Sequence, residues 1–181
     1  AGVGMSAGIT APVAAIGTAA LLSAADFEQA MNVMQQVSGA TEGQVASLQS
    51  QALQLGAETS FSAGEAAQAM LELSKAGLSA SEVSAAIGGT LDLAAAGGLG
   101  LAQAAEISAN AVNVFGLGAA DTVAVANMLA AAANASSVEV TDLAQGMQMA
   151  GSVFASSGQS VDTLTTALAL MGNAGIAGSD A

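Results

Sequence analysis

The side chains in this sequence that could do chemistry are fourteen carboxylates and one amine, Lys75, with no His, Cys or Arg beside them. Nucleophilic hydrolysis by a Ser-His-Asp or Cys-His set is therefore impossible, and Lys75 is left as the only cationic electrophile. Two carboxylates could in principle cleave a glycosidic bond, one as a proton donor in an apolar pocket and one as base or nucleophile. That chemistry also wants aromatic platforms for the sugar, yet the chain has no Trp or Tyr, and its acids cluster where helices begin. A calcium loop of the Asp-x-Asp-x-Asp-Gly type is missing, and thiolate metal sites are ruled out. Gly97-Gly98-Leu99-Gly100 lacks the lysine and the spacing of a phosphate cradle and is predicted to be a turn. The expectation is a protein that is not an enzyme, with no catalytic, cofactor-binding or metal-ligating residues and no cofactor. A net charge of −13 would repel a polyanion, so specific nucleic-acid binding is not expected. An acidic wall remains compatible with DNA sliding past. Seven methionines, Met31, Met34, Met70, Met128, Met147, Met149 and Met171, could form an adaptable contact surface, but at helical spacing they fit core filling better.

Behind these residues lies a helical rhythm. Gly39, Gly56, Gly77, Gly97 with Gly98, Gly116, Gly158 and Gly175 fall where apolar helical periods stop, mostly near twenty residues apart. Starts follow the stops. Thr41-x-x-Gln44, Ser62-x-x-Glu65, Ser79-x-x-Glu82 and Ser136-x-x-Glu139 fit the capping box, and Leu78 with Val83 could add a hydrophobic staple. Carboxylates in first turns meet the positive end of the helix dipole, which explains part of the acidity without a ligand. Val83, Ile87, Leu91 and Ala94 keep one face, as do Leu101, Ala104, Ser108, Val112 and Phe115, and Val161, Leu164, Leu168 and Met171. The spacing predicts helices over 12–38, 42–55, 63–76, 80–96, 101–115, 119–133, 138–156 and 161–173. The fold class is all-α: about eight short helices joined by Gly-containing turns, in a helical-hairpin bundle or stacked array that oligomerises. Short connections predict antiparallel neighbours, each too short to hold alone in water.

The core must be built from small pieces, because only Phe27, Phe61, Phe115 and Phe154 are aromatic while alanine abounds. Two parts are expected. Residues 1–38 form an apolar N-terminal helical segment and 39–181 a core helical domain, the whole a piece of a longer protein. The run from Ala1 to Ala25 carries no charge and contains Gly4-x-x-x-Gly8, so it could be membrane-active; a helix buried in an oligomer interface is the alternative.

Several stretches carry a resemblance. Asp26-Phe27-Glu28-Gln29-Ala30-Met31, Ser38-Gly39-Ala40-Thr41, Thr59-Ser60-Phe61-Ser62-Ala63, Leu73-Ser74-Lys75-Ala76-Gly77-Leu78, Asn113-Val114-Phe115-Gly116-Leu117 and Ala167 through Ile176 occur in the order seen in the conserved core of phage tail tape measure proteins. From about Ile9 onward the chain resembles that family, departing from it in its near absence of Lys and Arg. The resemblance implies a structural virion protein of the tail lumen or tail tip, present in a few copies, that sets tail length and leaves ahead of the genome during ejection. Implied partners are copies of itself, tail-tube and tail-tip (distal tail or hub) proteins and assembly chaperones, with assembly in the host cytoplasm. A continuous helix of this length would reach ~270 Å, but the glycine stops break such a rod. A compact or stacked domain near one end of the ruler, anchoring it at the tail tip, is the expectation. Two other functions stay open: a membrane-active segment contacting the host membrane as part of a channel in its envelope, and a helical interaction module unrelated to phage.

Overall fold

The computed structural model describes residues 24–177, and among them every regular element is helical. Residues 24–38 form α1. It is followed by α2 (Glu42–Glu58), α3 (Ala63–Lys75), α4 (Ala80–Gly97), α5 (Leu101–Phe115), a short 3-10 turn (Ala119–Asp121) leading into α6 (Thr122–Ala135), α7 (Val140–Ser156) and α8 (Val161–Asn173). The eight helices match the expected set closely, while the predicted stretch 12–23 lies outside the described residues.

Local chemistry sets most of the boundaries. Thr41 caps α2, its backbone nitrogen donating to Gln44 Oε1 at 2.9 Å while its hydroxyl oxygen accepts from the Gln44 nitrogen. Ser62 and Glu65 repeat the arrangement on α3. At Ser79, before α4, both the backbone nitrogen and the hydroxyl donate to Glu82 Oε2, at 2.8 and 2.6 Å. The fourth expected box is not formed. Ser136 ends α6, its hydroxyl donating back to the Ala132 carbonyl at 2.7 Å, and α7 starts only after Glu139, whose nitrogen donates to Asp142 Oδ2. The start is displaced because Ser137 is tied to α8: its nitrogen and hydroxyl both donate to Asn173 Oδ1. At the other ends, Gly98 (φ 62) and Gly116 (φ 61) take the left-handed conformation. The next residue's nitrogen reaches back five positions, Leu99 to Ala94 and Leu117 to Val112, closing the last helical turn. Gly56 does not stop α2, which runs on to Glu58. A Cβ at Gly56 would lie 2.5 Å from the Ala63 nitrogen, so this glycine serves the tight approach of α3 instead.

Successive helices do not fold back as the expected antiparallel pairs at two junctions: the chain turns through 119° from α4 to α5 and through 117° from α6 to α7. The first turn is made by left-handed Gly98 in a three-residue link, and the second by the four-residue link 136–139, which contains no glycine; neither reverses the axis. The consequence is a packing in which each helix meets the one after next. α2 lies on α4, α4 on α6 and α6 on α8, while α3 lies on α5 and α5 on α7, giving two interleaved rows. Polar bonds pin several of these steps: Ser84 Oγ to Gln51 Oε1, Asn113 Nδ2 to the Ala76 carbonyl, Thr122 Oγ1 to the Ala86 carbonyl, and Ser137 to Asn173. Their partners are 33, 37, 36 and 36 residues apart, so one two-helix step of about that length is repeated along the chain.

The closest approach is that of α4 and α6. A Cβ on Gly89 would collide with the backbone of Thr122 and Val123, and the Thr122 hydroxyl crosses the gap to Ala86 at 3.1 Å. Ala52, Ala66, Ala67, Ala69, Ala86, Ala104, Ala105 and Ala111 are fully buried, which is how a chain with so few aromatics fills its interior. The predicted stripes are buried too, from Val83 and Ile87 on α4 to Leu164 and Leu168 on α8. Ala30, Met31 and Met34 of α1 belong to the same core.

Candidate interaction surface

Lys75 sits at the end of α3, half exposed, with its Nζ 3.0 Å from Glu72 Oε1. Glu72 also accepts from Gln68 Nε2 at 2.8 Å, so the amine is engaged by a neighbour one turn away. Lys75 lines an open groove of about 860 Å³ between α1 and α3 together with Asp26, Gln29, Glu65 and Gln68. The groove holds carboxylates and amides around one cation and has no enclosed apolar chamber that would raise a carboxyl group's pKa.

The acids that are perturbed move the other way. Hydrogen bonds from the Ser62 backbone and side chain lower the pKa of Glu65, and those from the Ser79 side chain and backbone lower that of Glu82. Each carboxylate is held ionised at a helix start, the reverse of what a proton donor requires. Asp121 and Asp142 likewise accept from backbone nitrogens, of Gly118 and Glu139, at 2.9 and 3.1 Å. The geometry spends these groups on helix termini.

The remaining chemistry belongs to the apolar surface. Of the seven methionines singled out by spacing, Met31, Met34, Met70 and Met147 are buried, Met128 and Met171 are packed against the core, and Met149 is 61% exposed. Val153, one turn further along α7, is 65% exposed. Around this pair the outward arc of α7 presents Gln145, Gln148, Ser152 and Ser156, all exposed and none charged. Gly146 faces Leu168 of α8 and Gly151 faces Val114 of α5, while Met149 and Val153 stay exposed beside these contacts. Sequence reasoning favoured core filling over a contact role for Met149, which its exposure contradicts, and missed Val153. The available signal was an apolar i, i+4 pair out of phase with the buried Leu143 and Met147.

Charge is unevenly placed. Residues 24–97 carry eight carboxylates, against five in residues 98–177. Between Asp142 and Asp162 there is none. Among the described residues no single helix is long and apolar enough to cross a membrane, and the charge-free run from Ala1 to Ala25 lies almost wholly outside them.

Comparison with known proteins adds three findings. A family model described as phage-related minor tail protein matches residues 49–181. The chain is similar to a tape measure protein of Pneumococcus phage Dp-1, with 36% identity over 180 residues. That alignment takes in 99% of this chain but only 16% of the relative, so the chain spans about one sixth of the protein it matches. No solved structure matches the chain.

Proposed function

The chain belongs to the phage-related minor tail protein family, and from that premise we propose that it is a compact helical domain of a tape measure protein, working by packing against other surfaces rather than by measuring length itself. The carboxylates of Glu65, Glu82, Asp121 and Asp142 are engaged at helix starts, whereas a large uncharged face of α7 is left open. The two-row array carries this reading. Helices that double onto the helix after next convert a chain that could extend ~270 Å into a block, which suits an anchor and not a ruler. The domain sits in the tail lumen or at the tail tip and contributes to tail assembly, to fixing tail length through the longer protein, and to genome ejection. Its partners are copies of itself, tail-tube and tail-tip proteins and assembly chaperones, met in the host cytoplasm during assembly. A helical module unrelated to phage is set aside by the family relationship.

An in-frame deletion tests this. Removing residues 24–177 from the tape measure gene would shorten tails by ~230 Å if the segment were an extended helical ruler. A compact anchor predicts that the tails which form change length by far less, while their number and infectivity fall. Electron micrographs of the deletion phage decide, and a shortening near 230 Å would overturn the proposal.

A second reading rests on the charge-free sequence from Ala1 to Ala25, which suits entry into a host membrane. It predicts liposome leakage that disappears when those residues are deleted; leakage that persists, or none from the intact chain, removes it.

A further inference from the structure

We propose that the outer face of α2, centred on Leu53, seats the chain's own apolar segment 12–22, packed there as one more helix of the row formed by α2, α4, α6 and α8. The pairing follows from the two-row array and is independent of the tail role given above.

Three observations converge. First, the array keeps a period. The caps of α3, α5 and α7 are Ser62, Gly100 and Glu139, each roughly 38 residues beyond the one before. One step ahead of Ser62 the sequence reads Ser23-x-x-Asp26, the same kind of start as Glu139 with Asp142, where the aspartate accepts from the cap nitrogen. The helix expected over 12–38 is then divided at Ser23, and residues 12–22 fall one step ahead of α2. Pro12 suits a first helical position, and Val13, Ile16 and Ala20 share a helical face. Second, α2 has the face that this step requires. Ser84 of α4 meets Gln51 of α2, and Thr122 of α6 meets Ala86 of α4. Ala46 holds the corresponding place on α2, one step before Ser84. Ala46, Ser50, Leu53 and Ala57 are all exposed, Leu53 at 57%, while Val45, Leu48 and Ala52 on the opposite side are buried. Third, charge selects the occupant. Between Glu42 and Glu58 α2 carries no charge, and neither do residues 1–25. A second copy docking antiparallel by this same face would set Glu42 of each chain against Glu58 of the other. Residues 12–22 bring no carboxylate and are tethered to α1, whose Met31 and Met34 are already in the core, so their local concentration at the block is high.

The chain contains no cysteine, so introduced thiols report the contact cleanly. Counting back one step from Gln51 and Ser84 pairs Val13 with Ala46. In the intact 181-residue chain, Val13→Cys with Ala46→Cys should be joined within one chain by a short bis-maleimide, while Val13→Cys with Gln148→Cys on α7 should not. Hydrogen exchange should find the amides of residues 13–22 slowed at least about tenfold against the unstructured rate, and Leu53→Lys should abolish that slowing with α3 to α6 unchanged. Leu53 already faces outward, so the lysine leaves the buried core intact. Slowing that survives Leu53→Lys, or the absence of the intrachain link, puts the segment elsewhere and overturns the assignment. Links that join two chains, recognised by their doubled mass, give the face to a second copy and overturn it too. Amides 13–22 that exchange freely in water also overturn it, and if neutral lipid vesicles then slow them, the segment belongs to a membrane.

Discussion

Ser108 lies in the buried stripe of α5, and its hydroxyl has no hydrogen-bond partner among the described residues. A buried donor without a partner carries a desolvation penalty, and alanine removes the group with almost no change in volume. Ser108→Ala is therefore expected to stabilise the chain by roughly 1 kcal/mol, read as a higher urea midpoint at unchanged slope. Gly89 predicts the opposite. The Cβ of an alanine there would meet the backbone of Thr122 and Val123 rather than the end of a yielding side chain. Gly89→Ala should cost about 3 kcal/mol by forcing α4 and α6 apart, whereas the neighbouring Gly88→Ala, where a Cβ meets nothing, should be neutral or stabilising. Thermal unfolding of the two variants side by side makes the comparison.

At the scale of elements, capping couples stability to pH. The carboxylates of Glu65 and Glu82 have lowered pKa values in the folded chain, so their contribution is complete above the ordinary glutamate value, about 4.3. It is lost as pH falls through the lower folded values. Discharge of the remaining acids relieves the repulsion of a −13 chain over the same range and works against that loss. Ser62→Ala removes one cap and should destabilise by about 1 kcal/mol at neutral pH. Combined with Ser79→Ala, it should flatten the acid-side fall in stability; a profile of urea midpoints between pH 3 and 7 that keeps the wild-type slope would contradict the capping argument. These caps were legible because every group in them lies within four residues. The start of α7 was not: Ser136-x-x-Glu139 has the right letters, but Asn173, 36 residues away from Ser137, holds the linker in a different conformation. The glycine stops were legible at Gly98 and Gly116 for the same local reason. Gly56 and Gly89 look alike in sequence, and their purpose emerges only from the partner that approaches them, Ala63 in one case and Thr122 in the other.

For the whole molecule, composition and periodicity led to an all-helical chain of small side chains, and the order of quoted stretches led to the family. Connection length led to the contacts between sequence neighbours, such as α2 with α3, α4 with α5 and α7 with α8, but not to those between every second helix. The rows arise from turns of near 120°, one at Gly98-Leu99 and one in the glycine-free link 136–139, and from polar bonds that span about 36 residues. In such an array stability comes from adjacent steps, so helices in the middle are held from two sides and those at the ends from fewer. Hydrogen exchange should find the slowest amides in α4, α5 and α6 and faster ones in α1 and α8. Uniform protection along the chain would argue for a single indivisible bundle instead.

A compact array and an extended helical ruler differ most in size, and small-angle X-ray scattering of the chain, extrapolated to zero concentration, measures that directly. The folded block predicts a radius of gyration of about 16 Å for one copy. A value of several tens of ångströms, approaching the roughly 80 Å of a 270 Å rod, would contradict it.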